Sequence, residues 1–279
     1  MTKLTVHCVV KNEEKWIWFA IESIRDIAKE ILIYDTGSTD NTVEIIKTIK
    51  DKKIKFEQKG KVDAKGLVGL RAQQLKRTKT NWFLILDGDE IWPDKTKKEL
   101  LNVLETANQN IWGVVVRAWN LVGDIYHYHP ESIKYKWPFA PTGYVGWANL
   151  RVINRGLPGL YLRGEYPLEA YCDQTITPIQ NYGSRHLEFL TGRYLHTSYL
   201  LRSQSRHVDK SILNRAHKQK IEYGIKFPDN FKFPEVLKKE RPKIVPNPWV
   251  TRSKYESIIG YIANPFKELR RQSLNLYNP

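Results

Sequence analysis

The sequence predicts an α/β protein with a mostly parallel central sheet, helices on both faces and a helical C-terminal extension. Two observations carry this prediction. Short apolar runs alternate with helical patterns up to about residue 108, and the three clearest runs end abruptly in polar residues. Strands that alternate with helices favour a parallel sheet, because parallel neighbours need a crossover connection.

In the first half of the chain, individual strands and helices can be predicted in order. The runs of strand length are 4–10, 31–34, 53–58 and 82–86. Apolar residues at helical spacing predict helices within 17–27, 43–49 and 100–107. A basic stretch that includes Arg71 and Leu75 is also expected to be helical. Thr39 or Asp40 is expected to cap the second helix.

The second half has a different character. Residues 114–116 and 150–153 are predicted strands, and the Pro- and aromatic-rich stretch 126–147 between them has no clean periodicity. Such an irregular segment is typical of a binding loop. Residues 203–223 predict a basic helix, and a Pro- and Lys-rich connection at 228–248 leads to a last amphipathic segment.

The chain is strongly basic. With 45 Lys and Arg against 30 Asp and Glu, the formal net charge is +15, and 41% hydrophobic residues suffice for a core. We expect the surface to attract an anionic partner, which charge alone does not identify among nucleotides, phospholipid head groups, acidic glycans and nucleic acid.

Nothing in the sequence predicts export. Cys8 and Cys172 form no metal-ligand or disulfide pattern, the first residues do not resemble a signal peptide, and no apolar run approaches the ~20 residues of a membrane span. The expected location is the cytoplasm, with peripheral contact at the inner face of the membrane as an option.

The polar residues that follow the strands are candidate binding groups, because ligands bind at the carboxyl ends of parallel strands. These residues are Asn12-Glu13, the turn 35–38 and Asp87-Gly88-Asp89. Carboxylates would repel an anionic nucleotide unless a divalent cation lay between them and the phosphates. The pattern therefore predicts Mg²⁺ or Mn²⁺ at Asp87 and Asp89.

Together these segments resemble the family-two glycosyltransferases of the GT-A fold, which is Rossmann-like. The matching residues are 9–13, 34–42, 71–72 and 84–90, and the resemblance covers 4 to about 108. It implies a metal-dependent enzyme that transfers a sugar from a UDP- or GDP-linked donor. The acceptor hydroxyl would belong to a glycan, a lipid-linked molecule or a protein.

The resemblance also implies roles for individual residues. Asn12, Glu13 and Asp35 would line the base and ribose, with Gly37 and Ser38 in the same donor-binding turn. Arg71 would approach the base or phosphate, Asp87 would face the ribose or a metal-bound water, and Asp89 would ligate the metal. The alternative for 35–40 is a turn that only caps a helix.

Fainter matches lie further along the chain. Glu169 is the candidate acceptor base, with Asp173 as a competitor, and a single base without a nucleophile implies inversion at the anomeric carbon. His196 would be a metal ligand, or else a hydrogen-bonded structural residue. Arg202 and Arg206 would neutralise the diphosphate, or else belong to a solvated helix face.

Two other functions are less favoured. A nucleic-acid-binding protein would explain the charge, but the chain lacks RNA-binding signatures and the acidic strand ends would stay unexplained. A nucleotidyltransferase of similar fold would need a Gly-rich phosphate loop after the first strand, where the chain has Lys11-Asn12-Glu13-Glu14. We therefore expect no nucleic-acid partner.

The resemblance suggests a division into a GT-A catalytic domain at 1–200 and a basic helical extension at 201–279. The nucleotide-sugar half of the catalytic domain would be 1–108 and the acceptor half 109–200. Within the extension, 249–271 carries apolar residues at helical spacing with basic residues around them. This segment would either rest on an anionic membrane or cover the catalytic domain with its apolar side.

Overall fold

The computed structural model describes residues 4–134, 136–137, 139–215, 218, 220 and 222–277, and the side chains of these residues except at 263, 268 and 271–277. Strands alternate with helices in the first hundred residues. The strands are β1 (Leu4–Val10), β2 (Ala28–Asp35), β3 (Ile54–Gln58), β4 (Trp82–Leu86), β5 (Glu90–Ile91), β6 (Gly113–Val122), β7 (Asp124–Tyr128), β8 (Ala148–Asn154), β9 (Tyr161–Arg163), β10 (Ala170–Cys172), β11 (Leu187–His196) and β12 (Ile225–Lys226). The helices are α1 (Ile17–Ile24), α2 (Thr42–Thr48), α3 (Ala64–Arg77), α4 (Asp94–Thr106), α5 (Glu131–Lys134), α6 (Arg206–Lys210) and α7 (Lys254–Tyr277).

The central sheet begins as a parallel sheet. Its order is β12-β7-β6-β8-β4-β1-β2-β3, and β1 pairs in parallel with both β2 and β4. β8 then runs antiparallel to β4 and β6, while β11 pairs in parallel with β6. The predicted α/β fold with helices on both faces is confirmed, and antiparallel pairs enter the sheet at β8.

Two apolar clusters hold the sheet between its covering layers. The larger packs α1, α2 and α4 against β1, β2, β4 and β6, and includes Phe19, Ile31 and Leu84. The smaller lies on the other face and includes Phe83, Ile153 and Leu187. Because strands buried on both faces are apolar throughout, β1, β2 and β4 were recognisable in the sequence.

Several local expectations need correction. Residues 126–147 are not wholly irregular, because β7 forms a hairpin with β6 across Gly123, whose φ is +75°. The basic helix predicted at 203–223 is wrong, since only Arg206–Lys210 is α-helical within the described residues of that stretch. Asp209 instead accepts hydrogen bonds from the Arg202 N–H and from Arg215, which hold a compact turn.

The last segment is helical as expected, in the form of α7. None of the helices in the described part of the chain combines the length and apolar character needed to cross a membrane.

Candidate active site

The polar residues after β1, β2 and β4 lie at one edge of the sheet. Cys8 is opposite Leu86 and Val10 is opposite Asp35 in the parallel register, so these three strands end side by side. A cavity of about 870 Å³ opens at this edge. Segments from the rest of the chain close its other sides, including the Trp147–Arg151 and Ser211–Arg215 regions.

Hydrogen bonds join the loops after β1 and β2. Asn12, with φ of 52°, donates its N–H to Ser38 Oγ at 2.8 Å and accepts at Oδ1 from the Thr39 N–H at 2.7 Å. Asp35 accepts from the N–H groups of Gly37 and Ser38, each at 3.1 Å. The Asp40 carboxylate accepts from the Thr42 N–H at 3.0 Å, although Asn41 is the N-cap residue of α2. These hydrogen bonds hold the turn between β2 and α2 and join it to the loop after β1.

Asp87 lies between two arginines. Its Oδ2 is 3.0 Å from Arg151 Nη2 and its Oδ1 is 3.4 Å from Arg71 Nη2. Burial opposes ionisation of Asp87, but Arg151 and Arg71 outweigh it and lower its pKa to about 2. Asp87 is therefore an anion at neutral pH.

Asp89 is nearly fully buried. Arg202 donates to its Oδ2, and His196 Nε2 lies 3.4 Å from the same oxygen. Burial opposes its ionisation, yet Arg202 and His196 hold its pKa well below the usual range. The other oxygen, Oδ1, is buried and has no hydrogen-bond partner among the described residues.

Glu13 and Gly88 are in close contact. A Cβ on Gly88 would lie 2.9 Å from Glu13 Cγ, so only glycine allows this approach. Burial raises the pKa of Glu13 to about 7, against the opposing effect of Arg202 and Arg215. The Glu13 carboxylate accepts a hydrogen bond from Arg215, which also donates to the carbonyls of Lys11 and Asn12.

Glu169 enters the cavity from the far side. Its Oε1 is 3.4 Å from Arg71 Nε, so Arg71 contacts both Glu169 and Asp87. Oε2 of Glu169 is buried without a hydrogen-bond partner among the described residues. Asp173, the competing candidate, accepts hydrogen bonds from the Thr175 N–H, the Thr177 N–H and the Tyr182 hydroxyl, and lies outside the cavity lining in the described part of the chain.

The sequence profile described as Glycosyl transferase family 2 matches residues 5–156, which is more than half of the chain and contains the ends of β1, β2 and β4. The chain belongs to glycosyl transferase family 2. The recognition made from the strand-end motifs is confirmed, and so is the GT-A fold.

Two proteins that are named as glycosyltransferases resemble the chain over different lengths. The lipopolysaccharide core biosynthesis glycosyltransferase LpsC of Rhizobium meliloti is 31% identical over 197 residues, which are 69% of this chain and 62% of LpsC. The prophage-derived glycosyltransferase SunS of Bacillus subtilis is 32% identical over 101 residues, 36% of this chain and 23% of SunS. The chain thus spans less than two thirds of the length of either relative.

A solved structure shares the fold. The crystal structure of Staphylococcus aureus TarS 1–349 in complex with UDP-GlcNAc has 20% sequence identity and a TM-score of 0.51. The superposition covers 76% of this chain and 62% of that one.

The fold brings most of the predicted family-2 site residues to one cavity and leaves others outside it. The predicted residues that line the cavity are Glu13, Arg71, Asp87, Asp89, Glu169, His196 and Arg202. Within the described residues, Asn12, Asp35, Gly37 and Ser38 support the adjoining turn rather than line the cavity, and Arg206 instead pairs with Glu256. Asp87, Asp89 and His196 do not form a ready three-ligand group, since no cluster of three His, Cys, Asp or Glu side chains in the described residues could hold a metal.

Two arginines of the candidate site were not predicted from the sequence. Arg151 lies in β8 and bonds both Asp87 and Glu90, while Arg215 follows α6 and bonds Glu13. A buried arginine in an apolar strand such as 148–154 is a usable signal, because an unpaired charge there would be too costly. Arg215 carried no such signal, since it lies in the stretch 203–223 that was predicted as a basic helix.

Proposed function

We propose that this chain transfers a sugar from a nucleotide diphosphate donor to an acceptor hydroxyl, with a divalent metal and with inversion. The observation that carries the proposal is the position of Asp87 and Asp89 directly after β4, inside a cavity of about 870 Å³. Among the described residues of its lining, seven basic side chains accompany five acidic ones. This mixture suits an anionic donor and a cation together.

The metal is supported by an acceptor atom that lacks a partner and by a neighbouring imidazole. Asp89 Oδ1 is buried without a hydrogen bond in the described residues. His196 Nδ1 lies 3.0 Å from Asn120 Oδ1, so the ring can donate its Nδ1–H there and offer Nε2, 3.4 Å from Asp89 Oδ2, to a bound metal. One or two carboxylates with substrate phosphates and water form a usual Mg²⁺ site, so a protein cluster of three is not required.

When bound there, Mn²⁺ or Mg²⁺ would neutralise negative charge on the departing diphosphate. Asp89 and His196 would hold the metal, and Asp87 would contact either a metal-bound water or the ribose of the donor. Arg202 reaches the same oxygen of Asp89 and lies 3.4 Å from Glu13. It is therefore available to share its charge with an incoming phosphate group.

Glu169 is our candidate acceptor base. It is mostly buried, its Oε2 has no hydrogen-bond partner in the described residues, and Arg71 is 3.4 Å from its other oxygen. A carboxylate oxygen at this position can accept the proton of an attacking hydroxyl. The proposal assigns a single base and no side chain as nucleophile, which implies inversion.

The donor and acceptor classes remain proposals as well. Trp137, Trp147 and Tyr166 line the cavity and offer apolar faces on which a sugar ring can pack. LpsC is named for lipopolysaccharide core biosynthesis and TarS was solved with UDP-GlcNAc, so UDP-sugars and glycan acceptors come first for testing. GDP-linked donors and lipid-linked or protein acceptors are the next classes.

The test is a donor screen on the full chain. UDP- and GDP-sugars are incubated with the protein in Mn²⁺, in Mg²⁺ and in EDTA, and release of nucleoside diphosphate is measured with candidate glycan acceptors. We expect turnover of one donor class that EDTA abolishes. Turnover that is equal in EDTA would contradict the metal, and an NMR spectrum of the product with retained anomeric configuration would contradict inversion.

The predicted division at residue 200 and the cytoplasmic location at the inner face of a membrane are proposed on the sequence evidence. Arg202 and Arg215 contact Asp89 and Glu13, so part of the extension belongs to the site. Contact of 249–271 with a membrane does not depend on this chemistry.

A further inference from the structure

The helix α7 attaches to the protein by its polar side. Glu256 pairs with Arg206, Asn264 Oδ1 accepts from the Tyr223 N–H at 3.1 Å, and Lys267 lies 3.5 Å from Glu222. Gly260 is buried between these contacts, where a Cβ would come within 3.5 Å of the Glu222–Tyr223 backbone. These residues recur at spacings of three and four, so they occupy one face of the helix.

The opposite side of α7 is apolar and points away from the protein. Its side chains are between 59% and 74% exposed. They are Tyr255, Ile258, Tyr261, Ile262, Phe266 and Leu269. From the first to the last of them the helix rises about 21 Å. The expectation that this side would cover the catalytic domain is wrong, because a small, polar face makes the contacts instead.

The start of α7 is fixed in place. Ser253 and Glu256 form a reciprocal capping box, in which the Ser253 N–H donates to Glu256 Oε2 at 3.0 Å and the Glu256 N–H donates to Ser253 Oγ at 3.2 Å. Arg252, directly before the cap, bonds Asp124 at 3.1 Å and the Tyr223 carbonyl at 2.9 Å. The outward apolar stripe therefore has a defined orientation on the protein.

We propose that the outward face of α7 lies on an anionic lipid surface, parallel to the membrane plane. An exposed stripe of aromatic and aliphatic side chains on an amphipathic helix inserts to the depth of the acyl chain boundary. Lys254 and Arg270 are exposed at its two ends, where their charges reach phosphate head groups. The net charge of +15 favours an anionic bilayer over a second copy of this chain, which would carry the same charge.

The experiment is vesicle co-sedimentation of the full chain without donor or acceptor. We compare phosphatidylcholine vesicles with vesicles that contain phosphatidylglycerol, at low and high salt. The wild type should partition onto the anionic vesicles, more weakly at high salt. Equal binding to neutral vesicles, or no binding to either, overturns the proposal. Neither result bears on sugar transfer, which is measured with soluble substrates.

Matched variants distinguish vesicle binding through the apolar stripe of α7 from nonspecific adsorption. Ile258→Ser should lower the partition coefficient by about fivefold, and Ile258→Ser with Phe266→Ser by more than about tenfold. The control is Ile176→Ser, which makes the same change at a 54% exposed position in the turn before Thr177, outside α7. Equal loss in the control overturns the proposal. So does a wild-type dimer in lipid-free sedimentation that Ile258→Ser converts to monomer, since the face would then be covered by a second copy.

Discussion

The guanidinium of Arg202 is hydrogen-bonded to the carboxylate of Asp89 across 113 residues of sequence. Both side chains are buried, and the same arginine lies 3.4 Å from Glu13. The end of β4 and the segment after β11 are therefore held together by charge, and the candidate site depends on residues beyond the part of the chain where the family motifs lie.

Arg202→Met should destabilise the fold, because it leaves the Asp89 carboxylate buried without its arginine. Breaking a buried ion pair from one side costs about 3–5 kcal/mol, so the free energy of unfolding in urea should fall by that amount. Arg206→Met is the control, since its pair with Glu256 is more exposed and should contribute less than about 1 kcal/mol. Equal losses in the two variants would contradict the structural role of the Arg202 pair.

Glu169→Gln should remove the proposed acceptor base while preserving the shape of the side chain. We expect kcat to fall by about 10²- to 10⁴-fold with little change in donor affinity. Asp173→Asn is the control, because Asp173 holds the turn with Thr175 and Tyr182 and should affect stability more than kcat. A large kcat loss in Asp173→Asn with normal kcat in Glu169→Gln would exchange their assignments.

Gly88→Ala should disturb the site through Glu13. The added Cβ would lie 2.9 Å from Glu13 Cγ, and Arg215 and Arg202 restrain that side chain. We expect a loss of about 1–3 kcal/mol in unfolding free energy together with a raised KM for the donor. The control is Gly69→Ala in α3, where a Cβ meets nothing within 4 Å and alanine should stabilise slightly. A Gly88 variant as stable and active as the Gly69 variant would refute the close contact.

His7 should make stability depend on pH. Burial, with a contribution from Arg71, lowers its pKa from 6.5 to about 3, so the unfolded chain binds a proton more readily than the folded one between these values. The stabilisation is present above pH 6.5 and is lost as the pH falls, by roughly 3 kcal/mol between pH 7.5 and 4.5. His7→Gln should lose that part of the pH dependence in urea titrations at several pH values. The control is His207→Gln at an exposed position, and this variant should keep the pH dependence of the wild type. Identical curves of unfolding free energy against pH for His7→Gln and the wild type would contradict the effect.

The strands and helices of the first hundred residues could be predicted because each one shows a pattern in its own stretch of sequence. The strands β1, β2 and β4 are continuous apolar runs, and each helix after them shows its own period. By contrast, β6 and β11 pair in parallel although they are far apart in sequence. No residue pattern within 187–196 indicates that β6 is the partner strand. Because of that pairing, His196 lies opposite Asn120 and within 3.4 Å of Asp89 Oδ2.

The same distinction applies to the site. Asp87, Asp89 and Glu13 follow strands and were recognisable, and His196 and Arg202 were proposed by resemblance. Arg151 and Arg215 were missed because a residue's charge partners are set by tertiary contacts. The outward direction of the α7 stripe was also undetermined, since helical spacing defines an apolar side without saying what that side faces.

The central claim is a metal at Asp89 that connects the protein to a nucleotide diphosphate. Calorimetric titration of UDP or GDP into the wild type and into Asp89→Asn, each in Mn²⁺ and in EDTA, tests it most directly. We predict that Mn²⁺ tightens binding to the wild type by at least about tenfold and has no such effect on the variant. Equal affinities in Mn²⁺ and EDTA for the wild type, or an intact Mn²⁺ effect in Asp89→Asn, would contradict the account.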